Sequence, residues 1–353
     1  MRILGISPAL PQHYYQQNQL LEALKTELEG QYFNFDRVER LHKNVLVGGR
    51  HLAIPLEELQ ALETFGQANN RFIEEAQNLG EQAIHGACEM AQTGPEDLSA
   101  FLFTTVTGLA TPSIDARLMN RMGFRANTVR MPFFGLGCVG GAAGLSRCND
   151  WLRGHPDKLA VLLAVELCSL TIQRKNLSIP NLISTGLFGD GAAAVICAGD
   201  DHPLAKQSSG PRVRATRSIF FPNTESAMGW DISEEGFGIV LSAEVPDLVR
   251  EQLRPCTEAF LAEEGLALED LTVWICHPGG PKVLTAVQDA LELTAEDLAV
   301  SWNNLEAMGN LSSASVLINL GETMAQTPKP GSLGLLLAMG PGFCAELVLM
   351  EWP

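Results

Sequence analysis

Cys138 is the residue of this chain best placed to act as a nucleophile. It lies in the stretch Arg130-Met-Pro-Phe-Phe-Gly-Leu-Gly-Cys-Val-Gly-Gly-Ala-Ala-Gly-Leu-Ser146. The small residues after it predict a helix, Ala142 to Leu152, that can enter a core end-on with its first amides directed at the sulfur. Such a helix tip favours thiolate over thiol. The competing reading is a small core hydrophobe, the usual fate of a free cysteine. Taken alone, the stretch does not separate the two.

A partner base narrows the choice. Of the seven histidines, His13, His42, His51, His85, His155 and His202 sit in polar or helix-surface contexts and read as solvated or packing residues. His277 differs: it ends the apolar run Leu271–Cys276 and opens into Pro-Gly-Gly-Pro281. A strand terminus that runs into a Gly/Pro turn is where α/β folds present chemistry. A third residue comes from an internal repeat. Pro95-Glu-Asp-Leu-Ser-Ala-Phe-Leu-Phe is echoed by Leu268-Glu-Asp-Leu-Thr-Val-Trp-Ile-Cys276, and Lys158-Leu-Ala-Val-Leu-Leu-Ala by Ser332-Leu-Gly-Leu-Leu-Leu-Ala. Leu98 precedes Cys138 by 40 residues and Leu271 precedes Asn310 by 39. Matches in the same order at near-equal spacing indicate two duplicated halves, and by analogy a thiolase-like layout. Their pseudo-twofold puts Cys138 and Asn310 at equivalent helix starts. A thiolate paired with an imidazolium is a strong nucleophile at neutral pH, and a neutral amide beside the imidazole supplies a second donor for an oxyanion or enolate. A Cys–His–Asn set also fits a cysteine hydrolase.

The elements that must hold these residues read as α/β. Helices are expected near Gln17–Glu29, over residues 58–92, and at Ser113–Met122 with Ser113 as its cap. Leu98–Gly108, Lys158–Cys168 and Ala192–Ala198 read as strands covered on both faces. Residues 200–211 read as loop. The division expected is 1–222 for the half with the cysteine and 223–353 for the half with His277 and Asn310. The chain has 353 residues, of which 46% are hydrophobic and 18% charged, with a net charge of −17. That charge argues against a nucleic-acid partner. No run is apolar enough to span a bilayer, and the N-terminus reads as a strand, not a signal peptide. The eight cysteines are scattered without C-x-x-C spacing, so neither a disulfide frame nor a metal site is expected, and the usage suits a cytoplasmic protein.

These residues also carry a resemblance. Gly135-Leu-Gly-Cys138, Leu187-Phe-Gly-Asp-Gly-Ala-Ala-Ala194, His277-Pro-Gly-Gly-Pro281, Gly309-Asn-Leu-Ser-Ser313 and Gly340-Pro-Gly-Phe343 resemble, over essentially the whole length, the bacterial type III polyketide synthases. These are similar to the chalcone and stilbene synthases of the thiolase superfamily. The resemblance implies a duplicated αβαβα five-layer fold. It implies that Cys138 takes a starter acyl group from CoA, and that His277 and Asn310 bind malonyl-CoA and stabilise the enolate left by decarboxylation. Phe188 matches the family's aromatic gatekeeper; the second gatekeeper position falls at Ile239. Arg37, Arg40 and Lys43, with Arg50 nearby, match its CoA-entry cations. Positions shaping the cavity would be Val106, Thr107, Cys168, Thr171, Ser184, Trp230, Ile239 and Ser312. A homodimer is implied, with acyl-CoA and malonyl-CoA as substrates and no cofactor. Two departures stand out: Thr111 where plant members carry an interface-crossing methionine, and Met339 in the Ala338-Met-Gly-Pro-Gly342 loop.

The small and apolar cavity positions suggest a long aliphatic starter and an alkylpyrone or alkylresorcinol product. The alternatives are tetrahydroxynaphthalene or phloroglucinol made from malonyl units alone, or a carrier-protein-dependent β-ketoacyl synthase III. A cysteine acyl-hydrolase and a non-catalytic interaction protein are the remaining classes. The presence of all three catalytic residue types argues against the last.

Overall fold

The computed structural model describes residues 1–29, 32 and 34–353. In chain order, the first half opens with β1 (Arg2–Ala9), β2 (His13–Gln16), α1 (Gln17–Leu28), α2 (Phe35–Asn44), β3 (Gly49–Leu52), α3 (Leu56–Ala61) and α4 (Phe65–Ala91). It continues with β4 (Leu98–Thr105), α5 (Ile114–Met122), β5 (Val129–Phe134), α6 (Gly140–Gly154), β6 (Leu159–Leu167), α7 (Ile179–Leu187), β7 (Asp190–Ala198) and α8 (Pro203–Gln207). The second half holds β8 (Arg212–Phe220), β9 (Met228–Ser233), β10 (Gly236–Leu241), α9 (Val245–Glu263), β11 (Leu271–Cys276), α10 (Pro281–Leu291), α11 (Ala299–Met308), α12 (Ser313–Ala325), β12 (Leu333–Gly340) and β13 (Cys344–Glu351).

The main sheet runs β11-β12-β13-β8-β1-β7-β6-β4-β5. It consists of two sub-sheets joined by one bridge, Arg2 to Arg212. Alternation along the strands builds the layers. In β6, Val161, Leu163 and Val165 pack outward with Phe72, Leu79 and Ala83 of α4. Ala160, Leu162 and Ala164 pack inward with Ala142 and Leu145 of α6 and with Val316 and Leu317 of α12. In β12, Leu336 and Ala338 join this same centre, while Leu335 and Leu337 face Leu253 and Phe260 of α9 and Leu284 of α10. Helix, sheet, paired helices, sheet and helix are therefore stacked, as the duplication implies. Burial on both faces explains why these strands are apolar at nearly every position.

The repeat is visible in the backbone. Pro95–Asp97 and Leu268–Asp270 are both single 3-10 turns leading into a strand. In each turn the aspartate accepts from a backbone amide three residues earlier, Asp97 from Gly94 and Asp270 from Ala267. β4 pairs in parallel with β6, and β11 in parallel with β12. β8 pairs along its length with β13, so by sheet membership the second half begins before residue 222.

Three local expectations change. The helix expected over 58–92 is two helices. Thr64 forms a capping box with Gln67 and starts α4 afresh. Ser113 occupies the N-cap position of α5 but does not cap it: its hydroxyl donates to Asp115, which is also bound by Arg130 at 2.6 Å. The expected loop at 200–211 contains the short helix α8. Among the described residues, no helix is long and apolar enough to cross a membrane, and no cluster of three metal-ligating side chains occurs.

Candidate active site

α6 and α12 meet end to end at the centre, and their small residues permit it. A Cβ at Gly141 would lie 2.2 Å from the Ser313 carbonyl oxygen, and one at Gly140 would lie 2.6 Å from Thr104 Oγ1. Only glycine allows this approach. Just before α6, the 3-10 turn Gly137–Val139 carries Cys138. Gly137 has φ +56°, and a side chain there would collide with Pro341. The Gly340-Pro-Gly342 loop thus backs the cysteine turn, and its neighbour Met339 lines the same cavity.

Just before α12, Ser312 has φ 47° and ψ −126°, a backbone conformation that non-glycine residues avoid. It places Ser312 Oγ 3.7 Å from Cys138 Sγ. The Ser312 amide donates to Asn310 Oδ1 at 2.7 Å. This fixes the Asn310 carboxamide so that its Nδ2 points toward Gly279 O, 3.3 Å away. Asn310 also bridges to Phe188: its amide donates to Leu187 O, and the Gly189 amide donates to Asn310 O. The residues expected to bind substrate and to gate access therefore share one piece of backbone.

His277 follows β11, is 4% exposed, and neither ring nitrogen has a hydrogen-bond partner. Burial pushes its pKa down to about 3. Burial likewise pushes the Cys138 thiol up to about 11, against the hydrogen bonds from Ser312 and Asn310 and with the Glu166 carboxylate adding to the rise. Burial thus disfavours the charged form of both groups, and desolvation opposes the thiolate that the helix tip favours.

Cys138, His277 and Asn310 converge on one cavity of about 460 Å³. Phe188, Val106, Thr107, Cys168, Trp230, Ile239 and Ser312 line it as expected. Trp230 and Ile239 face each other across the β9–β10 hairpin, and Trp230 Nε1 donates to Val106 O at 2.9 Å, tying the hairpin to the end of β4. Thr171 and Ser184 do not line this cavity. They lie behind its wall with Phe188, around a gap of about 10 Å³. Beyond that wall is an outer groove of about 760 Å³.

Arg37, Arg40 and Lys43 are exposed on α2, whose Leu41 and Asn44 reach the cavity mouth. Arg50 does not join them. It is 3% exposed and donates to Gln17 Oε1 at 2.9 Å and to Thr185 O at 2.6 Å. Two residues not singled out from the sequence belong here. Lys282, exposed at the start of α10, adds a cation at the mouth. Glu166 is fully buried beside the site, where it accepts from the Val106 amide and from Thr107 and Ser313 hydroxyls. Burial raises its pKa to about 7. Its signal was available: a lone charge inside an apolar strand.

A cavity ringed by Cys, His and Asn at the meeting of two duplicated halves defines a condensing enzyme of the thiolase-like fold. The chain matches the chalcone and stilbene synthase N-terminal domain over residues 1–201 and the C-terminal domain over 212–352. It belongs to that family and is a type III polyketide synthase. It is 49% identical over 352 residues, 99% of this chain and 93% of the relative, to a 1,3,6,8-tetrahydroxynaphthalene synthase of Streptomyces peucetius. It is 30% identical to a phloroglucinol synthase of Pseudomonas fluorescens, over 97% of this chain and 96% of that one. The crystal structure of 1,3,6,8-tetrahydroxynaphthalene synthase from Streptomyces coelicolor superposes with a TM-score of 0.94 at 30% identity, covering 100% of this chain and 99% of that one.

Proposed function

We propose that this synthase uses malonyl-CoA as both starter and extender and releases a small polyhydroxylated aromatic of the tetrahydroxynaphthalene type. This takes the alternative in place of the long aliphatic starter first expected. The cavity volume carries the reading. A cavity of about 460 Å³ suits a compact bicyclic product such as a ten-carbon naphthalene with four oxygens. The gap behind the wall of Thr171, Ser184 and Phe188, about 10 Å³, offers no ready side channel for a long acyl chain. The names of the relatives support the same choice.

In the proposed cycle, Cys138 Sγ attacks the CoA thioester carbonyl while a ring nitrogen of neutral His277 takes its proton. The proton then leaves with the CoA thiolate. An N–H of His277 and Nδ2 of Asn310 donate to the carbonyl oxygen of the next malonyl-CoA. The bond to its carboxylate breaks, CO2 departs, and the electron pair forms an enolate held by those donors. The enolate carbon attacks the Cys138 thioester, the thiolate leaves, and the extended chain stays on CoA until it reloads. Loss of CO2 drives each round, and the balance needs no cofactor. Arg37, Arg40, Lys43 and Lys282 offset the CoA phosphates against the acidic surface. The chain acts as a homodimer, with exposed Leu109, Val129 and Phe134 and the Thr111 loop at the open edge of β5; light scattering of purified protein checks this.

The test is product mass spectrometry with malonyl-CoA alone and with a starter-CoA panel. A tetrahydroxylated naphthalene, or its oxidation product, from malonyl-CoA alone is expected. No product without a long-chain acyl-CoA, or without a carrier protein, would overturn the reading.

A further inference from the structure

The strand that carries His277 is held by a buried polar network behind the cavity. β11 is the edge strand of the sheet, so the Cys276 carbonyl, one residue before His277, has no neighbouring strand to receive it. Two side chains take it instead. Asn319 Nδ2 donates to Cys276 O at 2.8 Å, and Ser301 Oγ donates to the same oxygen at 2.7 Å. Asn319 Nδ2 also donates to Ser301 Oγ at 3.2 Å, and Asn304 Nδ2 donates to Asn319 Oδ1 at 2.8 Å, which fixes the amide's orientation. Ser301 and Asn319 are each 1% exposed and Asn304 is 5% exposed. Polar groups this deep are costly unless all are satisfied, and here a carbonyl of the strand end is what satisfies them.

The placement of Asn319 gives the network a second meaning. It lies on α12, the helix whose approach carries Asn310 and Ser312. One rigid helix thus fixes Asn310 directly and grips the base of His277 through Asn319. The His277 ring has no hydrogen bond of its own, so its place rests on the backbone that bears it. On the proposed reading that His277 and Asn310 jointly bind the malonyl carbonyl, we propose that Asn319, with Ser301, is a positioning residue that sets the spacing of these two donors.

The test is malonyl-CoA decarboxylation per active site in the full-length enzyme, with sites counted by labelling Cys138 with radiolabelled iodoacetamide and mapping the peptide. Wild type must release CO2; if it does not, the functional reading itself fails. Asn319→Leu keeps the volume but strips the donors. Its kcat per labelled site is expected to fall on the order of 10- to 100-fold, the scale of a small misplacement of reacting groups, with KM for malonyl-CoA little changed. Ser301→Ala is the milder variant should Asn319→Leu not fold, with a smaller fall expected, and Ser301→Thr, which keeps the hydroxyl, restores the rate. Unchanged kcat per site in Ser301→Ala and in any folded Asn319→Leu would overturn the proposal. So would a loss seen equally in Ser301→Ala and Ser301→Thr.

Discussion

The two helix tips that meet at the centre occupy equivalent places and are built from opposite materials. The α6 tip is glycine and alanine packed against backbone and side chains, and it presents one sulfur. The α12 tip is rich in polar groups: Asn310, Ser312 and Ser313 at its start, Ser315, whose Oγ accepts from the Leu311 amide at 2.8 Å, and Asn319 further on. The sheets differ to match. The first half has β5 beside β4, while the second has α11 in the corresponding stretch, and α11 supplies Ser301 and Asn304. A duplicated scaffold thus brings two helix tips together, and divergence makes them unlike; on the proposed function one holds the acyl chain while the other, with His277, holds the enolate.

The contrast can be broken from either side. The largest expected loss is on the polar tip. Asn310→Ala removes a donor to the developing enolate and should lower kcat for polyketide formation on the order of 100- to 1000-fold, measured by product formation under saturating malonyl-CoA. Next is the packed tip. Gly141→Ala forces a methyl against the Ser313 carbonyl, and overpacking of this kind costs about 1–3 kcal/mol; urea unfolding checks it, and a variant as stable as wild type would show that the helices can part.

A smaller effect sharpens the role of Glu166, which touches both halves through Thr107 and Ser313. Burial pushes its folded pKa up to about 7, well above the ordinary carboxylate range. The folded state therefore holds that proton more tightly, and the resulting stability is complete below the unfolded pKa and is lost as pH rises through about 7. Glu166→Gln should gain stability relative to wild type as pH rises from about 5 to 8, by urea unfolding at each pH; a constant difference would mean that the carboxyl stays ionised throughout. The smallest effect is at the mouth. Arg37→Ala and Arg40→Ala should raise KM for malonyl-CoA about threefold at low salt and less at high salt, since rim charges act mainly on encounter.

Much of this was readable in the sequence because burial on both faces leaves a strong mark. β4, β6 and β7 are apolar on both faces over most of their length, and the echo of 95–103 in 268–276 revealed the second half. Cys138 and His277 could be named because each sits where an apolar run gives way to glycine, proline or a polar turn, and Asn310 because the repeat places it at the position equivalent to Cys138. What the sequence hid was mostly polar and long-range. Asn319 and Ser301 look like ordinary helix residues until α11 and α12 are folded against the end of β11. Arg50 looked like a free cation, but it is spent on Gln17 and Thr185. The desolvation that pushes the Cys138 thiol up was hidden as well, because a helix tip is local and visible whereas desolvation depends on the whole surrounding fold. The break before α4 was legible, in Thr64-Phe-Gly-Gln67.

The division of labour between the two tips is tested most directly by the release of radiolabelled CO2 from malonyl-CoA by Cys138→Ala and Asn310→Ala, measured side by side. The account predicts that Cys138→Ala makes no extended chain yet still releases CO2, while Asn310→Ala largely loses the release. Equal loss of CO2 release in both variants, or chain extension by Cys138→Ala, would contradict it.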